Sequence, residues 1–375
     1  MSGRPLTVLQ LLPEMEVGGV EQGTLEIAEA LVAAGHRALV VSAGGRLVPR
    51  LEAVGARHFT LAIGRKRLAT LRLIRSLRTL IRAEKVDVVH ARSRLPAWIG
   101  YFALRAIPAE QRPRWVTTVH GPYTVNRYSR IMMSGTRVIA ISSFIHEYIF
   151  RAWPTTRSDH VVIIPRGVDP ARYPWGHRPI DSWMSEWQTA HPELRNRRVL
   201  CLPARLTRWK GQQDFIEMMR LLVAQGLPVH GLIVGGPHPR KREFEQELKL
   251  LVQTYGLSEH VSFLGQRSDL REILSCADIV YSLTREPEAF GRTTIEALSL
   301  GRPVIGYDHG GTGEILRAVF PAGLVAPMSV ADAAKQTTTL LTACPPVPRG
   351  LPYTLARMQA ETLAVYAQLC DASRR

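Results

Sequence analysis

Two carboxylates eight positions apart, Glu288 and Glu296, bracket the stretch Ala289-Phe290-Gly291-Arg292-Thr293-Thr294-Ile295. If the stretch were helical throughout, the acids would stand ~12 Å apart at ~1.5 Å per residue. That is about the length of a sugar-diphosphate-ribose. Glu288 can then accept hydrogen bonds from sugar hydroxyls and Glu296 from ribose hydroxyls, while Phe290-Gly291 opens the helix and lets backbone amides approach a diphosphate. The competing reading is an amphipathic helix with solvent-facing glutamates. Glu296 lies between Ile295 and Ala297-Leu298, which favours a buried acid meeting a ligand.

Arg205 and Lys210 share the short loop Ala204-Arg205-Leu206-Thr207-Arg208-Trp209-Lys210-Gly211. Both can reach a pyrophosphate, the arginine as a planar fork and the lysine as a point charge. Cations placed where a diphosphate gains charge as its glycosyl bond breaks stabilise the transition state more than the ground state. An isolated pair of this spacing is equally two solvated surface cations. Gly18-Gly19-Val20-Glu21 stands between a strand and a helix, where glycines let N–H groups come close to a phosphate at a positive helix end. It is not the dinucleotide pattern G-x-G-x-x-G, and by itself it is also a plain tight turn.

These loops need elements to hold them. Apolar strand-like segments at 6–12, 38–42, 86–90, 115–120, 137–141 and 161–164 alternate with helical patterns, and the scheme repeats at 199–203, 229–234, 261–264, 278–281, 303–307 and 323–325. Such alternation predicts parallel sheets with helices on both faces, an α/β class. The length of 375 residues exceeds what one core serves, so two doubly wound domains are expected: 1–180 and 181–350, with 351–375 a C-terminal helix crossing back to the first. The aperiodic stretch 170–192, rich in Pro, Trp and His, reads as the linker. Ligands of open α/β sheets bind beyond the carboxyl ends of the strands, where the loops above fall.

The ordered set of motifs resembles the retaining family-four glycosyltransferases of the GT-B fold. It comprises Gly18-Gly19-Val20-Glu21, His120-Gly121, Ile164-Pro165-Arg166-Gly167-Val168-Asp169, Arg205 with Lys210-Gly211, Phe263-Leu264-Gly265 and Glu288 to Glu296. Gly301-Arg302-Pro303-Val304-Ile305 and Gly310-Gly311-Thr312-Gly313-Glu314 follow in order. The resemblance covers nearly the whole chain and implies two Rossmann-like domains facing a central cleft, the first for the acceptor and the second for a nucleotide sugar. It implies that Gly18 and Gly19 face the donor phosphates, that Arg205 and Lys210 bind the diphosphate, and that Glu288 holds the donor sugar and Glu296 the ribose. His120 would lie beside donor sugar and acceptor, and Gln266 would meet the nucleobase through its backbone.

The activity so implied is transfer of a sugar from a nucleotide diphosphate, UDP foremost, to a lipid-linked, phosphorylated or lipopolysaccharide-core acceptor. The outcome is retaining, with the leaving phosphate oxygen accepting the acceptor's proton. The alternatives are an epimerase or hydrolase of sugar nucleotides on the same fold, or a non-catalytic nucleotide-sugar-binding module. No D-x-D and no His/Cys cluster of ligand spacing occurs, so neither metal nor other cofactor is expected. Arg166 and Arg292 depart from the family, which often has Asn and a small or aliphatic residue there. Both add charge, either toward a phosphorylated or acidic acceptor or outward.

The net charge of +16 is uneven: residues 1–180 hold 26 Lys and Arg against 12 Asp and Glu, the remainder 22 against 20. An anionic partner for the first half follows. On 64–85, Arg72, Arg75, Arg78 and Arg82 form one helical stripe and Leu73, Ile74, Leu77, Leu80 and Ile81 an apolar face, which suits an anionic membrane surface or, equally, a core-packed helix with a solvated basic side. No stacking aromatics accompany it, so nucleic acid is not expected. No 20-residue apolar run and no signal-peptide pattern is seen. Four unpaired cysteines read as small core residues of a reducing compartment. Together these predict a cytoplasmic protein, peripheral at the inner membrane if the basic helix touches lipid.

Overall fold

The computed structural model describes residues 4–16, 18–237 and 243–371. Residues 1–3, with which the N-terminal reading begins, lie outside them. The chain divides into two units, Met1–Arg166 with Leu355–Arg375, and Gly167–Thr354.

The first unit runs β1 (Thr7–Leu11), α1 (Gly19–Ala33), β2 (Arg37–Ser42), α2 (Val48–Ala53), β3 (Arg57–Thr60), α3 (Leu73–Ala83) and β4 (Val88–Ala91). It continues through α4 (Arg94–Arg105), β5 (Arg114–Val119), β6 (Arg137–Ala140), α5 (Ser143–Ala152) and β7 (Val161–Ile163). All seven strands are parallel, in the order β3-β2-β1-β4-β5-β6-β7. Every residue of β1 and β4 is buried, as a sheet covered on both faces requires. Helix α1 stops at Gly35, whose φ of +76° only glycine adopts without strain, and α5 starts at Ser142, whose Oγ accepts from the Ile145 N–H at 3.1 Å.

The second unit carries α6 (Asp181–Ala190), β8 (Arg198–Pro203), α7 (Gln212–Ala224), β9 (Val229–Val234), α8 (Glu243–Thr254), β10 (Val261–Gly265) and α9 (Leu270–Cys276). Then follow β11 (Ile279–Ser282), α10 (Arg292–Ser299), β12 (Val304–Tyr307), α11 (Gly310–Val319), β13 (Leu324–Val325) and α12 (Val330–Thr342). Its six parallel strands lie in the order β10-β9-β8-β11-β12-β13. The last helix, α13 (Leu355–Asp371), belongs to the first unit. Met358, Val365, Tyr366 and Leu369 join Val8, Val88, Val116 and Leu25 in one core.

In both sheets the strand order reverses at the middle, between β1 and β4 and between β8 and β11. Those reversals are where open α/β sheets leave a crevice.

Three local expectations change. The aperiodic stretch 170–192 contains α6 and packs onto the second unit: the Trp183 and Trp187 rings stack 5.1 Å apart, and Trp183 Nε1 donates to Asp269 at 2.9 Å. The Tyr173 carbonyl accepts from Ser299 at 2.7 Å, so the chain is anchored well before α6. On α3, Leu77 and Ile81 are buried while Arg72, Arg75 and Arg82 are exposed, the arrangement of a packed helix with a solvated basic side. Of the four free cysteines, Cys201 is buried, whereas Cys344 is exposed.

Candidate active site

At the reversal of the second sheet, the loops after β8, β11 and β12 meet. Gly211, at φ +76°, caps α7, and a Cβ there would sit 1.8 Å from the Leu283 carbonyl oxygen; only glycine permits this approach. The Arg285 N–H donates to the Trp209 carbonyl at 2.8 Å. Asp214, 4% exposed, accepts from Arg285 Nε at 3.0 Å and from the Tyr307 hydroxyl at 2.8 Å, tying α7, the β11 loop and β12 together. Burial, with the Asp214 carboxylate beside it, pushes the Tyr307 phenol far up, so it remains a donor.

The β11 loop ends at Gly291, which caps α10 at φ +91°. Glu288 therefore lies in a turn and Glu296 in the helix, rather than both on one continuous helix. The turn is fixed by the third helix end: Gly311 N donates to the Glu288 carbonyl at 2.7 Å, and a Cβ on Gly311 would fall 2.3 Å from Phe290 Cα. The N-termini of α10 and α11 consequently adjoin, with α7 starting one loop away. Three helix N-termini, with the Gly311 N–H among their first turns taken by the Glu288 carbonyl, make a region of positive potential.

Within it the sequence-assigned residues fall as follows. Lys210 Nζ forms a salt bridge to Glu288 Oε1 and lies 4.2 Å from the Trp209 ring centroid. Arg205 is exposed on the same loop. Gln266 follows β10 and is exposed; a Cβ on Gly236 would lie 3.5 Å from its Cβ, and Leu206 N donates to the Gly236 carbonyl at 3.1 Å, so Gln266 borders the Arg205 loop. Glu296 is 7% exposed and accepts from Arg292 Nε at 3.1 Å. Burial and the Glu296 carboxylate push the Tyr173 phenol up to about 12. Phe290 is buried with its ring against Tyr353, so its side chain anchors the turn while its backbone borders α11.

In the first unit, Gly18 caps α1 and Gly19 begins it, and around a Cβ on Gly19 nothing lies within 4 Å. His120 follows β5, and its Nδ1 faces Arg166 Nη2 at 3.0 Å. Arg166 is 9% exposed and bonds His120 and Met358 of its own unit. Arg292 is spent on Glu296.

Sequence reasoning passed over Asp214, Arg285 and Tyr307, whose tie is visible only once β12 lies beside β11. It also gave no role to the buried polar atoms Thr207 Oγ1, Gln212 Oε1, Thr284 Oγ1 and Thr294 Oγ1, which lack a hydrogen-bond partner among the described residues. All four stand on the loops or first turns just described, and unsatisfied buried polar atoms are rare enough to ask for a ligand or water.

Residues 17–172 match the family described as Glycosyltransferase Family 4, and residues 184–346 match Glycosyl transferases group 1. The chain belongs to glycosyltransferase family four. Its fold is that of a glycosyltransferase from Rickettsia africae, with a TM-score of 0.86 and 25% identity over 98% of this chain and 99% of that one. The Anabaena protein HepE, solved with UDP and glucose, superimposes with a TM-score of 0.77 at 22% identity, over 98% and 99% of the two chains. Among curated relatives, spore coat protein SA of Bacillus subtilis is 23% identical over 83% of this chain and 82% of its own length. The lipopolysaccharide core biosynthesis mannosyltransferase LpsB of Rhizobium meliloti is 32% identical over 30% of this chain and 32% of its own. This family-four enzyme is thus a GT-B glycosyltransferase with two Rossmann-like domains. No helix among its described residues is long and apolar enough to cross a membrane.

Proposed function

We propose that the enzyme transfers a sugar from a UDP-sugar to a lipid-linked or lipopolysaccharide-core acceptor, with retention and without a metal. The observation that carries this reading is the Lys210–Glu288 pair set among the N-termini of α7, α10 and α11. A diphosphate there takes the ammonium and the helix ends, and the sugar hydroxyls donate to the released Glu288 carboxylate. Arg205 approaches from the exposed side, Glu296 receives the ribose hydroxyls, and Gly291 admits phosphate oxygens to backbone N–H groups.

As the bond from the anomeric carbon to the phosphate oxygen breaks, negative charge grows on the diphosphate, and these fixed positive groups stabilise it. The acceptor oxygen bonds the anomeric carbon on that same face while the leaving phosphate oxygen takes its proton, which preserves the configuration. Lysine, arginine and helix ends take the part a divalent cation plays elsewhere. UDP as carrier is supported by HepE, solved with UDP-glucose; a lipopolysaccharide-core acceptor is supported by LpsB. The exposed basic side of α3 supports contact with an anionic membrane.

A panel of nucleotide sugars read by thermal shift, then by transfer and NMR of the product anomer, tests the reading. Stabilisation by UDP-sugars and an anomer matching the donor are expected, with transfer unchanged by EDTA. An inverted product or loss of transfer with EDTA overturns the corresponding part, and rapid turnover without acceptor would point to a hydrolase or epimerase. Co-sedimentation with liposomes only when anionic lipid is present is the expected membrane result.

A further inference from the structure

Arg166 is held in a slot built for it. A Cβ on Gly23 of α1 would lie 2.1 Å from Nη1 and 2.6 Å from Cζ, so the guanidinium rests against the helix backbone where only glycine leaves room. Nη1 also faces Met358 Sδ at 3.7 Å. From that seat Nη2 reaches His120 Nδ1 at 3.0 Å. A guanidinium has donors only. Nδ1 must therefore accept, and the ring is neutral with its one proton on Nε2. That Nε2 is buried and has no hydrogen-bond partner among the described residues.

The surroundings keep it so. Arg92, after β4, is 2% exposed and donates from Nε to Gln10 Oε1 at 2.7 Å. Glu26 on α1 offsets part of its charge. His90 on β4 is bonded at both nitrogens, to the Tyr366 hydroxyl at 2.7 Å and Thr118 Oγ1 at 2.6 Å. The Tyr123 hydroxyl accepts from the His120 N–H at 3.3 Å. Burial first, then Arg166, Arg92 and His90, hold His120 well below the ordinary histidine range. The cavity between Arg92 and Arg166 measures about 10 Å³, too small for a phosphate or sugar.

We propose that Arg166 is a positioning residue that locks His120 as the Nε2–H tautomer, so that His120 donates a hydrogen bond to a substrate oxygen and takes no proton from it. The substrate part rests on the glycosyl-transfer reading above, where that oxygen is a sugar hydroxyl or a phosphoryl oxygen; the tautomer part does not. The role is separate from charge on the donor diphosphate, and it gives the arginine at this position a purpose that an asparagine, with no charge, fills only in part.

The experiment is long-range ¹H–¹⁵N correlation on the full chain labelled at histidine, from pH 5 to 8, beside transfer rates. His120 is expected as the Nε2–H form throughout, without titrating. In Arg166→Met both tautomers appear, and transfer falls about 10- to 100-fold, as for a lost charge-assisted hydrogen bond. Arg166→Lys restores part of the rate. Gly23→Ala, which keeps the arginine but fills its slot, reproduces the Arg166→Met spectrum should that variant fold poorly. An Nδ1–H ring in the parent protein, or a tautomer unmoved in both variants, overturns the lock. A shifted tautomer with an unchanged rate overturns the hydrogen bond to substrate while leaving the lock standing.

Discussion

The two units repeat one topology, yet they handle charge at the sheet reversal in opposite ways. In the first, Arg92, Arg166 and His90 are 2%, 9% and 0% exposed and bonded inward. In the second, Lys210 and Glu288 form a half-buried ion pair, which on the proposed reading a diphosphate opens, with Arg205 exposed beside them. One is a wall whose donors are preset; the other is a set of charges that can change partners. A fold of this kind fixes where a crevice lies, and the side chains decide whether it is rigid or exchangeable.

The comparison breaks most visibly at the exchangeable side. Lys210→Ala and Glu288→Ala should each lower transfer by about 10²- to 10³-fold, the cost of losing one preorganised charge, with an unchanged circular dichroism spectrum. Near-normal rates in either would place the chemistry elsewhere. Asp214→Ala strands the Tyr307 hydroxyl and Arg285, and should cost about 3 kcal/mol in urea unfolding; the figure is tempered because Arg285 is itself partly exposed. A loss within 0.5 kcal/mol would show that the tie between α7 and β12 is ornamental.

Acid sharpens the contrast next. His230 on β9 is buried with Nε2 at 2.8 Å from Ser262 Oγ, and burial lowers it to about 4. Its unfolded value is near ~6.5, so the unfolded chain takes up a proton first. The stability it lends is present above ~6.5 and is lost as pH falls through about 4. His230→Asn should flatten the pH dependence of unfolding over that window by an amount on the order of 2 kcal/mol. An equally steep acid limb in the variant would reassign it to His90 and His120. The smallest effect belongs to Gly19→Ala: the methyl meets open space, so stability should stay within ~0.5 kcal/mol while the KM for the nucleotide sugar rises. A KM that does not move would remove Gly19 from the donor phosphates.

The strands were legible in the sequence because parallel strands buried on both faces are short apolar runs. Only β3 was missed: it is an edge strand, partly exposed, and Arg57-His58-Phe59-Thr60 carries no such run. Helix α6 was hidden because two tryptophans hold it amid polar residues. In the site, the residue types were readable and the geometry was not. The pairing of Lys210 with Glu288 depends on two loops meeting across the β8–β11 reversal, and the left-handed Gly291 replaced an assumed continuous helix. Arg166 turned inward because of a glycine on α1, a contact that no local pattern announces.

The assignment of α13 to the first unit sets the order in which this protein can be built. Tyr366 and Met358 close a core whose other walls are β1, β4 and α1, but the ribosome delivers them only after the whole of the second unit has been synthesised. Until then the nascent first unit carries an uncovered apolar seam and an unbonded His90 nitrogen. The second unit is the one free to fold first, and the first is finished last.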